Sequence, residues 1–257
     1  MFALQQTAIE SGFISNASLQ VIPADDFPWM HPVDWLHSHF AVGGWSPLQR
    51  LSGMLTAHMT RIAPQAGFTW HPHRGLEIYT WMLEGRLYHE DTTGGKGVLE
   101  PGDLQRMFSG DYIEHQELNP FDEPARVIQI WFIADRHHRG LEPHYQQLTR
   151  SQLPARRAGD ATVYALIGDG SPIQQHMTGR LQAAVLTAGS TAVEAPHEDE
   201  DLFLYVTDGT GSITRDGVET VLGQYDVVLA RPDMGSAAIH SSSGINFLNF
   251  YLPRFLS

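Results

Sequence analysis

The run Leu76-Glu77-Ile78-Tyr79-Thr80-Trp81-Met82-Leu83-Glu84-Gly85 is an apolar stretch of strand length that ends in a glycine turn. Glu200-Asp201-Leu202-Phe203-Leu204-Tyr205-Val206-Thr207-Asp208-Gly209 repeats its design. Aromatic and branched aliphatic residues fill both, as a pleated, buried surface favours. A second matching element follows each glycine: Pro101-Gly102-Asp103 in the first half and Gln224-Tyr225-Asp226 in the second. The closing runs Gln129-Ile130-Trp131-Phe132-Ile133 and Leu248-Asn249-Phe250-Tyr251-Leu252 then correspond. Three matches in the same order indicate an internal repeat. The chain therefore reads as two β-barrel domains of related design, residues 1–140 and 141–257. They are joined through the polar segment from Ala134 to Pro154.

The rest of the chain agrees with an all-β reading. Its 24 glycines and 15 prolines separate further short apolar runs, among them Val127 to Ile133 and Val227-Val228-Leu229. Sustained helical periodicity is scarce, and its best candidate is the stretch from Leu141 to Leu153. Many short strands with close turn signals favour a barrel or sandwich over a helix-layered sheet. With 257 residues, 42% hydrophobic and 18% charged, there is ample material for a core. The net charge of -13 and the lack of a basic stripe, Arg156-Arg157 being the nearest approach, argue against direct nucleic-acid binding. No apolar stretch is long enough to span a membrane, and the N-terminal residues lack the pattern of a secretory signal, so a cytoplasmic protein is expected.

There is no cysteine among the 257 residues, which excludes disulfides, thiolate metal sites and cysteine nucleophiles. Any metal must be held by histidine, carboxylate, carbonyl or water. His71-Pro72-His73 precedes the strand that starts at Leu76, and His115-Gln116-Glu117 has the same i, i+2 spacing. In extended chain these pairs project to one face. On neighbouring strands they would gather three imidazoles and one carboxylate, a donor set suited to Fe(II) and also to Mn, Ni, Cu or Zn. His37-Ser38-His39 is a second HxH, so the motif alone is weak. What distinguishes the first is the order HxH, glycine turn, Pro-Gly-Asp, HxE.

The run His71-Pro72-His73-Arg74-Gly75-Leu76-Glu77 with Leu83-Glu84-Gly85 resembles the signature of the pirin family. So do His89-Glu90-Asp91 with Gly94-Gly95-Lys96-Gly97, Pro101-Gly102-Asp103-Leu104-Gln105-Arg106-Met107, and Gly110 to Glu117. The match is dense across residues 67–118. The resemblance implies two stacked cupin-type barrels of the double-stranded β-helix (jelly-roll) kind, with one metal, usually iron, in the N-terminal barrel. By resemblance its ligands map to His71, His73, His115 and Glu117. It also implies a quercetinase-type dioxygenase that opens a flavonol ring with O2 and releases carbon monoxide. Other family members are described as regulators that bind a partner protein. The chain departs from the family at Asp34-Trp35-Leu36-His37-Ser38-His39-Phe40, where a Gly-Trp-Leu-Asp-Ser-type stretch is common. An ungapped repeat alignment sets Ala195, His197, Ala238 and His240 opposite His71, His73, His115 and Glu117. No metal is expected in the C-terminal barrel.

A metal held this way can polarise a bound oxygen and lower the pKa of a substrate hydroxyl. Glu117 has two roles open to it, anchoring ligand or catalytic base for the flavonol hydroxyl. Phe68, Trp70, Trp81 and Met107 could line an apolar pocket for a planar aromatic, or be barrel core. Arg74 and Glu77 suit a supporting role, orienting imidazoles or forming a salt bridge at the barrel mouth. A metal- or redox-sensing protein with a protein partner uses the same four ligands. A sugar-directed cupin enzyme would need a polar pocket instead.

Overall fold

In the computed structural model, residues 15, 17–138 and 140–256 are described. The chain forms two compact units. One comprises Pro28–Leu153 with Ile173–Met177. The other comprises Pro154–Pro172, Thr178 onward and the N-terminal stretch ending at Phe27. The sequence expectation cuts the chain once, after residue 140, whereas these units exchange two short segments. One of them contains Leu19–Ile22, an edge strand that pairs antiparallel with Val227–Ala230.

Each unit is a seven-stranded sheet with a four-stranded sheet, and the order of strands is the same in both. In the first unit, Leu76–Glu84 lies between Ala125–Ile133 and Leu104–Phe108, while Ile113–Asn119 lies between Ala66–His73 and Leu87–Asp91. In the second, Glu200–Gly209 lies between Ile245–Pro253 and Val227–Ala230, while Ala237–Ser241 lies between Ser190–Glu194 and Gly211–Arg215. All these pairings are antiparallel. The architecture is the two-barrel, nearly all-β fold of the cupin type.

The repeat is visible atom by atom. Gly102 N–H donates to the Met82 carbonyl at 2.9 Å and Met82 N–H to the Asp103 carbonyl at 3.1 Å. Tyr225 N–H and Val206 N–H do the same to Val206 and Asp226, at 2.8 and 3.0 Å. In both turns an aspartate side chain closes the loop: Asp103 accepts from Glu100 N–H and Asp226 from Gly223 N–H. Gly85 and Gly209 both have positive φ, 69° and 80°. A Cβ on either would come within 2.1 or 2.2 Å of the carbonyl oxygen of Pro124 or Gly244, so both positions require glycine.

Core placement follows the strand period. In the second unit, Leu202, Leu204 and Val206 pack with Phe247, Tyr251, Ala184 and Ile239 in one apolar cluster. Burying each large aliphatic or aromatic side chain there contributes about 1.5–3 kcal/mol. The first unit has smaller apolar clusters, around Leu36, Met82 and Val127 and around Ile78, Met107 and Ile113.

One candidate and one correspondence are corrected. Leu141 to Leu153 is not a helix: it holds the strand His144–Leu148, paired with Leu104–Phe108, and a 3-10 turn at Arg150–Gln152. A stretch this short forms an edge strand as readily as a helix, and the sheet edge at Leu104–Phe108 decides the matter. The closing strands also correspond one residue later than the repeat suggested. Gln129 faces Thr80 and Asn249 faces Leu204, so Trp131 matches Tyr251 rather than Phe250. Among the described residues no helix is long and apolar enough to cross a membrane.

Candidate metal centre

The strand Ile113–Asn119 alternates strictly, with Ile113, His115, Glu117 and Asn119 buried and the residues between them half-buried. On one side His115 pairs with His71 and Ile113 with His73. On the other His115 pairs with Asp91 and Glu117 with His89. The two i, i+2 pairs read from the sequence thus meet on neighbouring strands. Ring nitrogens of His71, His73 and His115 lie within 4.8 Å of one another. Their ring centroids are 4.3–5.0 Å apart.

Glu117 stands to one side of that trio. A register shift between His115 and Glu117 sets Glu117 opposite Phe68. Its carboxylate joins His115 and His89 in a second group within the same 4.8 Å limit. Gln129 Nε2 donates to one carboxylate oxygen at 2.8 Å and Gln105 Nε2 to the other at 3.4 Å. Trp131 Nε1 in turn donates to Gln129 Oε1 at 3.1 Å.

The state of the imidazoles suits metal binding. His71 Nδ1 lies 2.8 Å from the Thr69 carbonyl oxygen, which can only accept, so Nδ1 carries the proton and Nε2 keeps its lone pair. His73 Nε2 and His115 Nε2 are buried without a hydrogen-bond partner. Burial, and then the neighbouring imidazoles, push His115 down to about 2 and His73 down to about 4. Both are therefore neutral at neutral pH, as ligands must be. An unsatisfied buried polar atom costs about 1–3 kcal/mol. Two of them in one histidine cluster fit a divalent metal as their partner.

Other sequence candidates divide. Glu77 does not reach the imidazoles; it forms a buried ion pair with Arg106 at 2.6 Å and accepts from His176 N–H. Arg74 donates to the Asp111 carbonyl and lies over Tyr112. Trp81 and Met107 are core. Phe68 sits at the site, 6.2 Å from His71 by ring centroids, and packs edge-on against Trp35. Trp70 is 47% exposed. His37 is exposed and His39 buried, and neither belongs to a ligand group among the described residues. A further group, Asp135, His137 and His138, sits at the turn Arg136–His138.

Sequence reasoning missed Trp131, edge-on to His73 at 5.1 Å, and the inward pair His89 and Asp91. The alternation of Leu87–Asp91 was the available signal, since residues 87, 89 and 91 must share a face.

The second unit has no such centre among the described residues. His197 is largely exposed and its Nδ1 lies 3.6 Å from Glu200. His240 is exposed and within hydrogen-bond distance of Thr191. Cross-strand pairing corrects the ungapped alignment by one residue. His89 pairs with Glu117 and its counterpart Ile213 with Ile239, so Ile239, not His240, occupies the place of Glu117. Ala237 then stands for His115. Glu194, its cross-strand partner, stands for His71.

Comparison with known proteins agrees with this architecture. The Pirin family model matches residues 45–132. A Pseudomonas aeruginosa protein named "Putative quercetin 2,3-dioxygenase" is 33% identical over 183 residues, covering 70% of this chain and 76% of that protein. Pirin-like protein 2 of Arabidopsis thaliana is 28% identical over 197 residues, covering 74% of this chain, and the chain spans 61% of its length. The crystal structure of the bacterial pirin YhhW from Escherichia coli in complex with nickel(II) superposes with a TM-score of 0.75. That match has 24% identity and covers 91% of this chain and 99% of that one. The chain belongs to the pirin family.

Proposed function

We propose that this pirin-family protein is a metal-dependent dioxygenase of the quercetinase type. In this reading it holds one divalent metal, Fe(II), through His71, His73, His115 and Glu117 and opens flavonols with O2. The observation that supports the metal assignment is the cluster of His71, His73 and His115, with ring nitrogens within 4.8 Å of one another and with His73 Nε2 and His115 Nε2 buried and unpartnered. When bound, such a metal supplies Lewis acidity and open positions for the substrate oxygen and dioxygen.

The chain's own residues do the rest. In this reading His71 and His73, half-buried, form the side of the centre nearer the surface, whereas His115, 1% exposed, anchors it from within. Phe68, beside His71, and Trp131, edge-on to His73, give the centre an aromatic flank suited to a planar ring system. In this reading Glu117, which accepts from Gln105 and Gln129, joins the donor set beside His115 and acts either as anchoring ligand or as the base that takes the flavonol hydroxyl proton. The aromatic flank favours turnover of a planar substrate, and the name of the Pseudomonas relative points the same way.

The test is quercetin consumption and carbon monoxide release by anaerobically iron-loaded protein, beside His115→Ala. The reading expects iron-dependent turnover that falls at least about 100-fold in the variant. Stoichiometric metal binding without turnover would overturn the dioxygenase reading and favour metal sensing with a protein partner.

A further inference from the structure

The imidazole of His115 has two nitrogens, and the cluster with His71 and His73 needs one of them as a lone pair. Nε2 is buried without a hydrogen-bond partner. Nδ1 lies 3.5 Å from His89 Nδ1, at the outer edge of hydrogen-bond reach. The other nitrogen of His89, Nε2, lies 2.9 Å from Asp91 Oδ2, and both side chains are fully buried. Asp91 is itself fixed: Oδ1 accepts from Thr93 N–H at 2.8 Å, Thr93 Oγ1–H at 2.6 Å and Gly95 N–H at 3.1 Å. Tyr145 stacks on the His89 ring with centroids 4.5 Å apart and planes 11° apart. The His89 ring can therefore neither turn nor slide easily.

Proton positions follow from these partners. A carboxylate accepts only, so His89 Nε2 carries the proton it shares with Asp91. With that proton on Nε2, the Nδ1 of His89 is the acceptor that faces His115. The facing Nδ1 of His115 must donate, which leaves His115 Nε2 deprotonated on the side of His71 and His73. We infer that Asp91 and His89 are positioning residues that fix the tautomer and orientation of His115, so that Nε2 is presented to a divalent metal. A carboxylate–imidazole pair behind a ligand histidine raises the ligand's basicity and fixes its ring. Here the orienting group is a second imidazole interposed between the carboxylate and the ligand. Sequence order serves this purpose, because the i, i+2 spacing of His89 and Asp91 turns both inward against Glu117 and His115.

The inference rests on the metal reading above, and its test separates the two. Long-range 1H–15N correlation spectra of 15N-histidine-labelled, metal-free protein at neutral pH read the tautomers directly. His115 is expected as Nδ1–H and His89 as Nε2–H, whether or not the protein binds metal. Fe(II) and Ni(II) affinity is then measured by chelator competition for wild type, His89→Phe and His89→Gln. His89→Phe keeps the stack on Tyr145 and removes the acceptor, and is expected to weaken binding about 10–100-fold with stoichiometry unchanged. His89→Gln restores a carbonyl acceptor and is expected to recover part of the loss. A wild-type His115 in the Nε2–H form overturns the inference even where a variant fails to fold. So does unchanged affinity in His89→Phe. Two metals per chain, one of them lost in His89→Phe, would make His89 a ligand and overturn it as well. Failure of wild type to bind metal sinks the metal reading, while the tautomers still decide the arrangement of Asp91, His89 and His115.

Discussion

The strand Ile113–Asn119 turns Ile113, His115, Glu117 and Asn119 inward, while its counterpart Ala237–Ser241 turns in Ala237, Ile239 and Ser241. Facing them are His89 in one unit and Ile213 in the other. The same topology and the same glycine and aspartate turns thus enclose a cluster of imidazoles in one unit and an apolar core in the other. The difference shows that the barrel is a scaffold and that chemistry depends on which residues occupy its inward positions. The imidazole face also carries an energetic cost. Unpartnered His73 Nε2 and His115 Nε2 are destabilising by about 1–3 kcal/mol each, which a bound metal offsets. In the places of His115 and Glu117 the second unit has Ala237 and Ile239, which carry no polar group to leave unpartnered.

If the two barrels share their turns for one physical reason, the same substitution must hurt both. Gly85→Ala and Gly209→Ala each force a Cβ against a carbonyl oxygen at positive φ. Each is expected to destabilise by roughly 1–3 kcal/mol in thermal or denaturant unfolding. A neutral result at one of them would break the equivalence of the turns.

A smaller effect sharpens the contrast at the position of His71. Its counterpart Glu194 is buried and accepts from the Tyr251 hydroxyl. Burial raises the Glu194 pKa above 4.5, against the lowering effect of its hydrogen bonds to Tyr251 and Asn249. The folded protein therefore holds this proton more tightly than the unfolded chain does. That contribution to stability is full below pH 4.5 and is lost as pH rises through the folded value. Glu194→Gln cannot ionise, so its melting temperature should gain on wild type as pH rises from 4 to 7, by less than the glycine effect. A difference independent of pH would show that Glu194 does not titrate as a buried acid.

Much of the fold was legible because the repeat is carried by residues with few substitutes. Gly85 and Gly209 cannot be other residues, and Asp103 and Asp226 close their loops with the same hydrogen bond. Inside the strands the reading slipped. An alignment without gaps cannot register a one-residue change in loop length between the halves, and with a period of two a one-residue slip reverses every side chain. That is why His240, which is exposed, was set opposite Glu117 in place of Ile239. His71, His73 and His115 were legible because two i, i+2 pairs on adjacent strands need no long-range detail to converge. His89 and Asp91 were quoted as part of a motif, yet their closeness to His115 depends on which strands pair, and the sequence does not state that. The faint helical periodicity of Leu141 to Leu153 misleads for a related reason, since the edge of Leu104–Phe108 supplies the partner that makes His144–Leu148 a strand.

The central claim is that one metal belongs to one barrel, and anaerobic Fe(II) titration with analysis of bound metal tests it most directly. The account predicts one ion per chain, lost in His71→Ala and His115→Ala and kept in His240→Ala. No bound ion in the wild type, or a full equivalent retained by both histidine variants, would contradict it.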